Sequence, residues 1–171
     1  MNLENEIRKE HSKRQVVAVA GWIGTDPRRF ASLVELFRNG DRLLSRRASW
    51  IIGTCGERHP ELIEPWISPL LQKAKEENVH PAVQRNVLRA FQFIDIPKRH
   101  RGAVVNLCFD LLSSVDAPVA VKVFSMSVLA NIIKKEPDLK NELTLVITQL
   151  LPYGTAGMRA REKKILKQLA Q

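Results

Sequence analysis

One helical pattern is written four times along this chain. A basic residue opens an apolar helical stretch at Arg46, Arg85, Lys122 and Arg159, at intervals of 39, 37 and 37 residues. Each is followed by apolar positions at helical spacing, and each such stretch is preceded by a second amphipathic one. Self-similarity with a period in the high thirties marks stacked helix pairs, because one pair cannot bury its apolar face alone. The pattern predicts an all-α solenoid of about nine helices in antiparallel pairs, forming a single domain over residues 1–171.

Prolines divide the pattern into elements. Asp26-Pro27, His59-Pro60, His80-Pro81, Ile96-Pro97, Ala117-Pro118 and Glu136-Pro137 each precede an amphipathic run. Proline suits the first helical turn, where its missing N–H is not needed. The spacing predicts a first helix over 3–23, then pairs 27–39 with 42–58, 60–77 with 81–95, 98–113 with 118–135, and 138–151 with 155–170. Gly40 reads as a left-handed cap. Core stripes run through Leu44, Ala48, Ile51, Ile52 and Cys55, through Val83, Val87, Ala90, Phe91 and Ile94, and through Val121, Phe124, Val128 and Ile132. The last helix keeps only a narrow stripe of Ile165, Leu166 and Leu169 among charged residues, as expected of a terminal cap. Valine-rich runs such as 16–19 and 119–123 lie inside these helical patterns and lack the turn residues of a hairpin.

The stretch SRRASWIIGTCGERHPELIEPWISPLL, residues 45–71, resembles a HEAT repeat. Asp41 stands where that family places a turn aspartate, with Arg46 and Ala48 at the start of the second helix. The segments 80–91 and 117–129 carry Arg85 and Lys122 without the aspartate, and 157–166 matches less completely. The resemblance covers most of the chain after Asp26. It implies a right-handed α–α superhelix whose second helices line the concave side. Carried onto this sequence, it places Arg46, Arg85, Lys122 and Arg159 in one ladder, and Trp50, Arg89, Met126 and Lys163 in a second row one turn on. These eight residues are the candidate binding surface.

The ladder has two readings. Its cations brace adjacent repeats, with Asp41 available to Arg46 or Arg85, or they follow the charges of an anionic partner. Trp50, four residues after Arg46, is placed for cation–π stacking and for a binding hot spot, unless a neighbouring helix covers it. Trp66 reads as packing.

Catalysis finds little support. Cys55 and Cys108 fall within apolar helical patterns and read as buried thiols, and no metal-ligand spacing occurs. His59 and His80 precede prolines, His11 and His100 lie among polar residues, and no serine sits in a nucleophile elbow. HEAT-like DNA glycosylases carry tryptophans and an aspartate in a basic cleft, which Trp22 and Asp26 imitate in spacing; Asp26, however, reads as a helix cap before Pro27. Gly53 and Gly56 lie within a helix, not in a phosphate loop.

No apolar run reaches membrane-spanning length, and the mixed charges of residues 1–10 do not resemble a signal peptide, so a cytoplasmic protein is expected. The net charge of +9 favours anionic partners. These features predict a non-catalytic scaffold, without cofactor or metal, that binds another macromolecule through its concave face. A protein is the first expectation; a basic nucleic-acid-binding module is the alternative, a glycosylase a remote one, and a surface for subunit assembly a third.

Overall fold

A computed structural model describes residues 1–171. It contains ten α-helices, four short 3-10 turns and no strand, one helix more than the repeat pattern predicts. The chain divides into two compact units, Met1–Ile94 and Asp95–Gln171.

The first unit holds α1 (Leu3–Lys9), α2 (Lys13–Ile23), α3 (Pro27–Asn39), α4 (Arg42–Arg58), α5 (Ile67–Ala74) and α6 (Pro81–Phe91). Helix α4 is its hub and packs against α1, α2, α3 and α6. Leu44, Ala48, Ile51, Ile52 and Cys55 are buried there as the periodicity predicts, beside Phe30, Phe37, Leu70, Leu88 and Phe91. Each large apolar side chain so buried contributes about 1.5–3 kcal/mol.

Three local expectations are corrected. The helix expected over 3–23 breaks at residues 10–12, where Ser12 caps α2 by accepting from the Gln15 N–H at 3.1 Å. The Gln15 side chain then donates to the Glu6 carbonyl at 2.9 Å and its carboxylate at 2.8 Å, which pins the corner. Residues 60–77 form two 3-10 turns, Pro60–Leu62 and Glu64–Trp66, before α5 begins at Ile67, because Pro65 supplies no N–H to a continuous helix. Gly40 is extended, with φ −73° and ψ 163°, and so is no left-handed cap. Glycine is required there by space: a Cβ would stand 2.5 Å from the Leu36 carbonyl oxygen and 2.7 Å from Leu44 Cδ2.

The closest seam joins α4 to α6. A Cβ on Gly56 would lie 2.8 Å from Ala90 Cβ, and one on Gly53 would lie 3.1 Å from the Asn86 carbonyl oxygen. Within the seam, buried Asn86 donates to Ser49 Oγ at 3.0 Å, and Ser49 Oγ donates to the Arg46 carbonyl at 2.7 Å. The glycines allow the approach, and the buried polar pair fixes its register. Ile94, assigned to this stripe by its spacing, is only half-buried, because α6 ends at Phe91.

The second unit holds α7 (Lys98–Ser113), α8 (Val119–Ile133), α9 (Lys140–Leu150) and α10 (Ala156–Leu169). Helix α8 is its hub, packed by α7, α9 and α10. Val121, Val128 and Ile132 are buried; Phe124 is half-buried instead. Pro97 and Pro118 occupy N-cap positions, while Pro27 and Pro81 open their helices at the first turn. Arg101 ties the start of α7 to the segment after α8, donating to the Ile96 carbonyl at 2.9 Å and to Glu136 at 2.8 Å. Arg161 ties α10 to α8 through Ser127 Oγ at 2.8 Å. In α10, Ile165 and Leu169 are buried and Leu166 half-buried. No helix is long and apolar enough to cross a membrane.

Candidate binding groove on the first unit

A helix repeats every 3.6 residues, so Arg46, Trp50, Thr54 and Glu57 follow one another along one side of α4. Arg85 and Arg89 do the same on α6. Helix α2 supplies the opposite wall. Between them runs a groove of about 370 Å³ lined by Lys13, Val16 and Val17 of α2, Trp50, Thr54, Glu57 and Arg58 of α4, and Arg89 of α6.

Trp50 is half-buried in this groove. It meets the edge of the His11 ring, with centroids 5.1 Å apart and planes at 68°, and not a guanidinium face. The protein's cation–π pair is elsewhere: Arg29 lies over Trp22 at 4.5 Å. Arg89 is ion-paired with Glu57 across the α4–α6 seam. That pair fixes one end of the groove.

Along the same seam, beyond the groove lining, two arginines are unpaired. Arg46 and Arg85 take part in no ion pair, and Arg46 Nε is buried without a hydrogen-bond partner. The charges of both arginines reach the same two imidazoles. Partial burial, then Arg46, Arg47 and Arg85, hold His11 below its ordinary value; burial, then Arg46, Arg42 and Arg85, do the same to His80. His80 Nδ1 also accepts from the Ala82 N–H at 3.1 Å and so caps α6 in its neutral form. Arg46, Arg85, His11 and His80 thus share one positive neighbourhood, continuous through His11 with Trp50.

Asp41 does not serve this end. It accepts from the Leu44 N–H at 2.8 Å as the cap of α4 and pairs with Arg8 of α1 at 2.8 Å. Those two contacts hold its carboxyl below the usual range, the cap contributing first and Arg8 next. The bracing role expected of Arg46 and Arg85 therefore falls to other cations. Arg47 donates to the carbonyls of Ile7 and Arg8 at the end of α1.

The remaining candidates lie in the second unit. Met126 is 0% exposed and belongs to the core, which corrects its assignment to a binding row. Its place between Ser125 and Ser127 hid this, since α8 is buried on nearly all sides. Lys122 is half-buried. Arg159 is exposed and donates to the Gly154 carbonyl at 2.9 Å; Lys163 is exposed. Sequence reasoning missed Lys13, Glu57 and Arg58, which α2 and α4 bring to the groove, and His11, which meets Trp50 from the corner before α2. Only the helical offset of Glu57 from Trp50 pointed to any of them.

The catalytic alternatives gain no geometry. Burial pushes the Cys55 and Cys108 thiols up to about 12, so neither is a thiolate at neutral pH. Asp26 accepts from the N–H groups of Arg28 and Arg29 at 2.8 and 3.2 Å, which is the capping role its position before Pro27 predicts.

Helix hairpins packed through apolar stripes, with glycines where helices meet closely, define a helical-repeat protein. The family model for the HEAT repeat domain matches residues 3–169, and the chain belongs to that family. No curated protein and no solved structure matches it.

Proposed function

We propose that this protein is a non-catalytic scaffold that binds another protein through the face formed by α2, α4 and α6. HEAT repeat domains are in general interaction modules, and a half-buried tryptophan with guanidinium groups on either side is the composition of a hot spot. The observation that carries the reading is the contrast along the α4–α6 seam that borders the groove. Arg89 is satisfied by Glu57, whereas Arg46 and Arg85 beside it are left without carboxylates. Rigid helices hold these side chains, so binding orders little that is not already ordered.

The test is affinity capture from the native host with wild-type protein and with Trp50→Ala and Arg89→Gln, each checked for folding by circular dichroism. A protein retained by the wild type and lost with both variants supports the reading. Equal retention by all three removes this face from the function.

A further inference from the structure

We infer that the groove between α2, α4 and α6 receives an acidic segment of a partner protein, with a carboxylate held by Arg46 and Arg85 and an apolar neighbour laid on Trp50. This deepens the scaffold reading and rests on it.

Charge placement selects the chemistry. In the first unit seven of the fifteen cations have carboxylates: Arg8 with Asp41 and Glu4, Lys9 with Glu6, Arg14 with Glu10, Arg29 with Asp26, Arg38 with Glu35, Lys73 with Glu76 and Arg89 with Glu57. Of the cations lining the groove, only Arg89 is paired. Arg46, Arg85, Lys13 and Arg58 have no ion-pair partner, and Arg46 Nε has lost water without gaining an acceptor. A buried donor left unmatched costs free energy, which an incoming carboxylate recovers as a charge-assisted hydrogen bond. Guanidinium is suited to this because its planar fork matches a carboxylate in two-point contact. Trp50 adds an apolar surface next to the charge, so the best ligand carries both kinds of group.

The same groove disfavours nucleic acid. Glu57 sits in its lining and would face a continuous phosphate backbone. A volume of about 370 Å³ accepts a few side chains, not a duplex. Trp50 is the only aromatic residue in the lining, whereas successive bases need successive stacking platforms.

The experiment is fluorescence anisotropy on the full chain at low salt with three labelled probes. They are a short Glu-rich peptide containing Phe, the same peptide with Gln in place of Glu, and a single-stranded oligonucleotide of matched charge. The expected result is binding of the acidic peptide, at least about tenfold tighter than either other probe. Arg46→Gln and Arg85→Gln should each weaken it by about tenfold or more, while Lys164→Gln, at an exposed site of α10, leaves it unchanged. Arg85 makes no side-chain bond within the protein, so Arg85→Gln keeps the test valid should Arg46→Gln fail to fold. The proposal is overturned if the Gln peptide binds equally, if the oligonucleotide binds tighter, or if Lys164→Gln weakens binding as much as Arg85→Gln. Should the peptide fail while Trp50→Ala still loses a captured protein, the acidic chemistry falls and the scaffold reading stands.

Discussion

Glu162 is a carboxylate in the wrong solvent. Its side chain in α10 has 0% exposure, and neither oxygen finds a hydrogen-bond donor. Burial raises its pKa above the ordinary 4.5, and the positive charge of Arg159 only partly opposes this. The folded state therefore holds the proton more tightly than the unfolded chain. Unfolding releases it, so stability contributed by the neutral form is present at low pH and lost as pH rises from about 4.5 upward. Glu162→Gln keeps the shape and removes the charge. Thermal melts at a series of pH values should show the variant melting higher than wild type at pH 7, with the gap closing toward pH 4.5. A variant that melts lower than wild type at neutral pH would show that the ionised carboxylate is satisfied. Ser49 makes the opposite case, a buried polar group whose removal leaves another exposed to loss. Ser49→Ala deprives Asn86 Nδ2 of its acceptor and should cost about 1–3 kcal/mol in denaturant titrations.

At the scale of elements, the α4–α6 seam decides both stability and the shape of the groove. Adding a methyl at Gly56 puts a carbon 2.8 Å from Ala90 Cβ and 3.0 Å from its Cα, so a helix must move. Gly56→Ala should cost about 1–3 kcal/mol. It should also weaken any ligand that spans α4 and α6, because Arg46 and Arg85 are then held farther apart. Binding titrations of the folded variant, set beside its loss of stability, check both parts. Much of this scale was legible in the sequence. The stripes of α3, α4 and α6 follow 3.6-residue periodicity, and Asp26 and Asp41 stand where helix caps belong. The misreadings have local causes. The break between α1 and α2 escaped because apolar residues continue at helical intervals across it, Leu3 and Ile7 before, Val16, Val19 and Ile23 after. Ser12 followed by Gln15 was the capping signal that marked it. Gly40 looked like a left-handed cap because glycine is common there, but here its missing Cβ makes room for Leu36 and Leu44. The groove was half legible: a repeated basic residue gave Arg46 and Arg85, and one further turn gave Trp50 and Arg89. His11 comes from the corner before α2 and Lys13 from the helix's first position, and no period points to a corner.

For the whole molecule, the charge of +9 is spread along the chain and does not by itself choose a partner. Residues 1–94 carry 15 basic and 11 acidic side chains, and residues 95–171 carry 12 and 7, so both units are cationic. An attraction that depended on total charge would be carried as well by exposed Lys163 as by Arg85. It would also fade with ionic strength as counterions replace it. A protein that neutralises six to ten phosphates loses about 10³–10⁵ in affinity between about 50 and 200 mM salt. The groove works differently. On the proposal, Arg46 and Arg85, one with a buried nitrogen, hold the carboxylate beside the walled groove that contains Trp50, where mobile ions penetrate less. The acidic peptide should therefore lose no more than about tenfold over the same salt range, and the part that survives should depend on Trp50. Anisotropy titrations at both salt concentrations, with wild type and Trp50→Ala, decide between the two forms of attraction. A loss of a thousandfold or more, equal in both proteins, would mean that diffuse charge and not the groove holds the ligand.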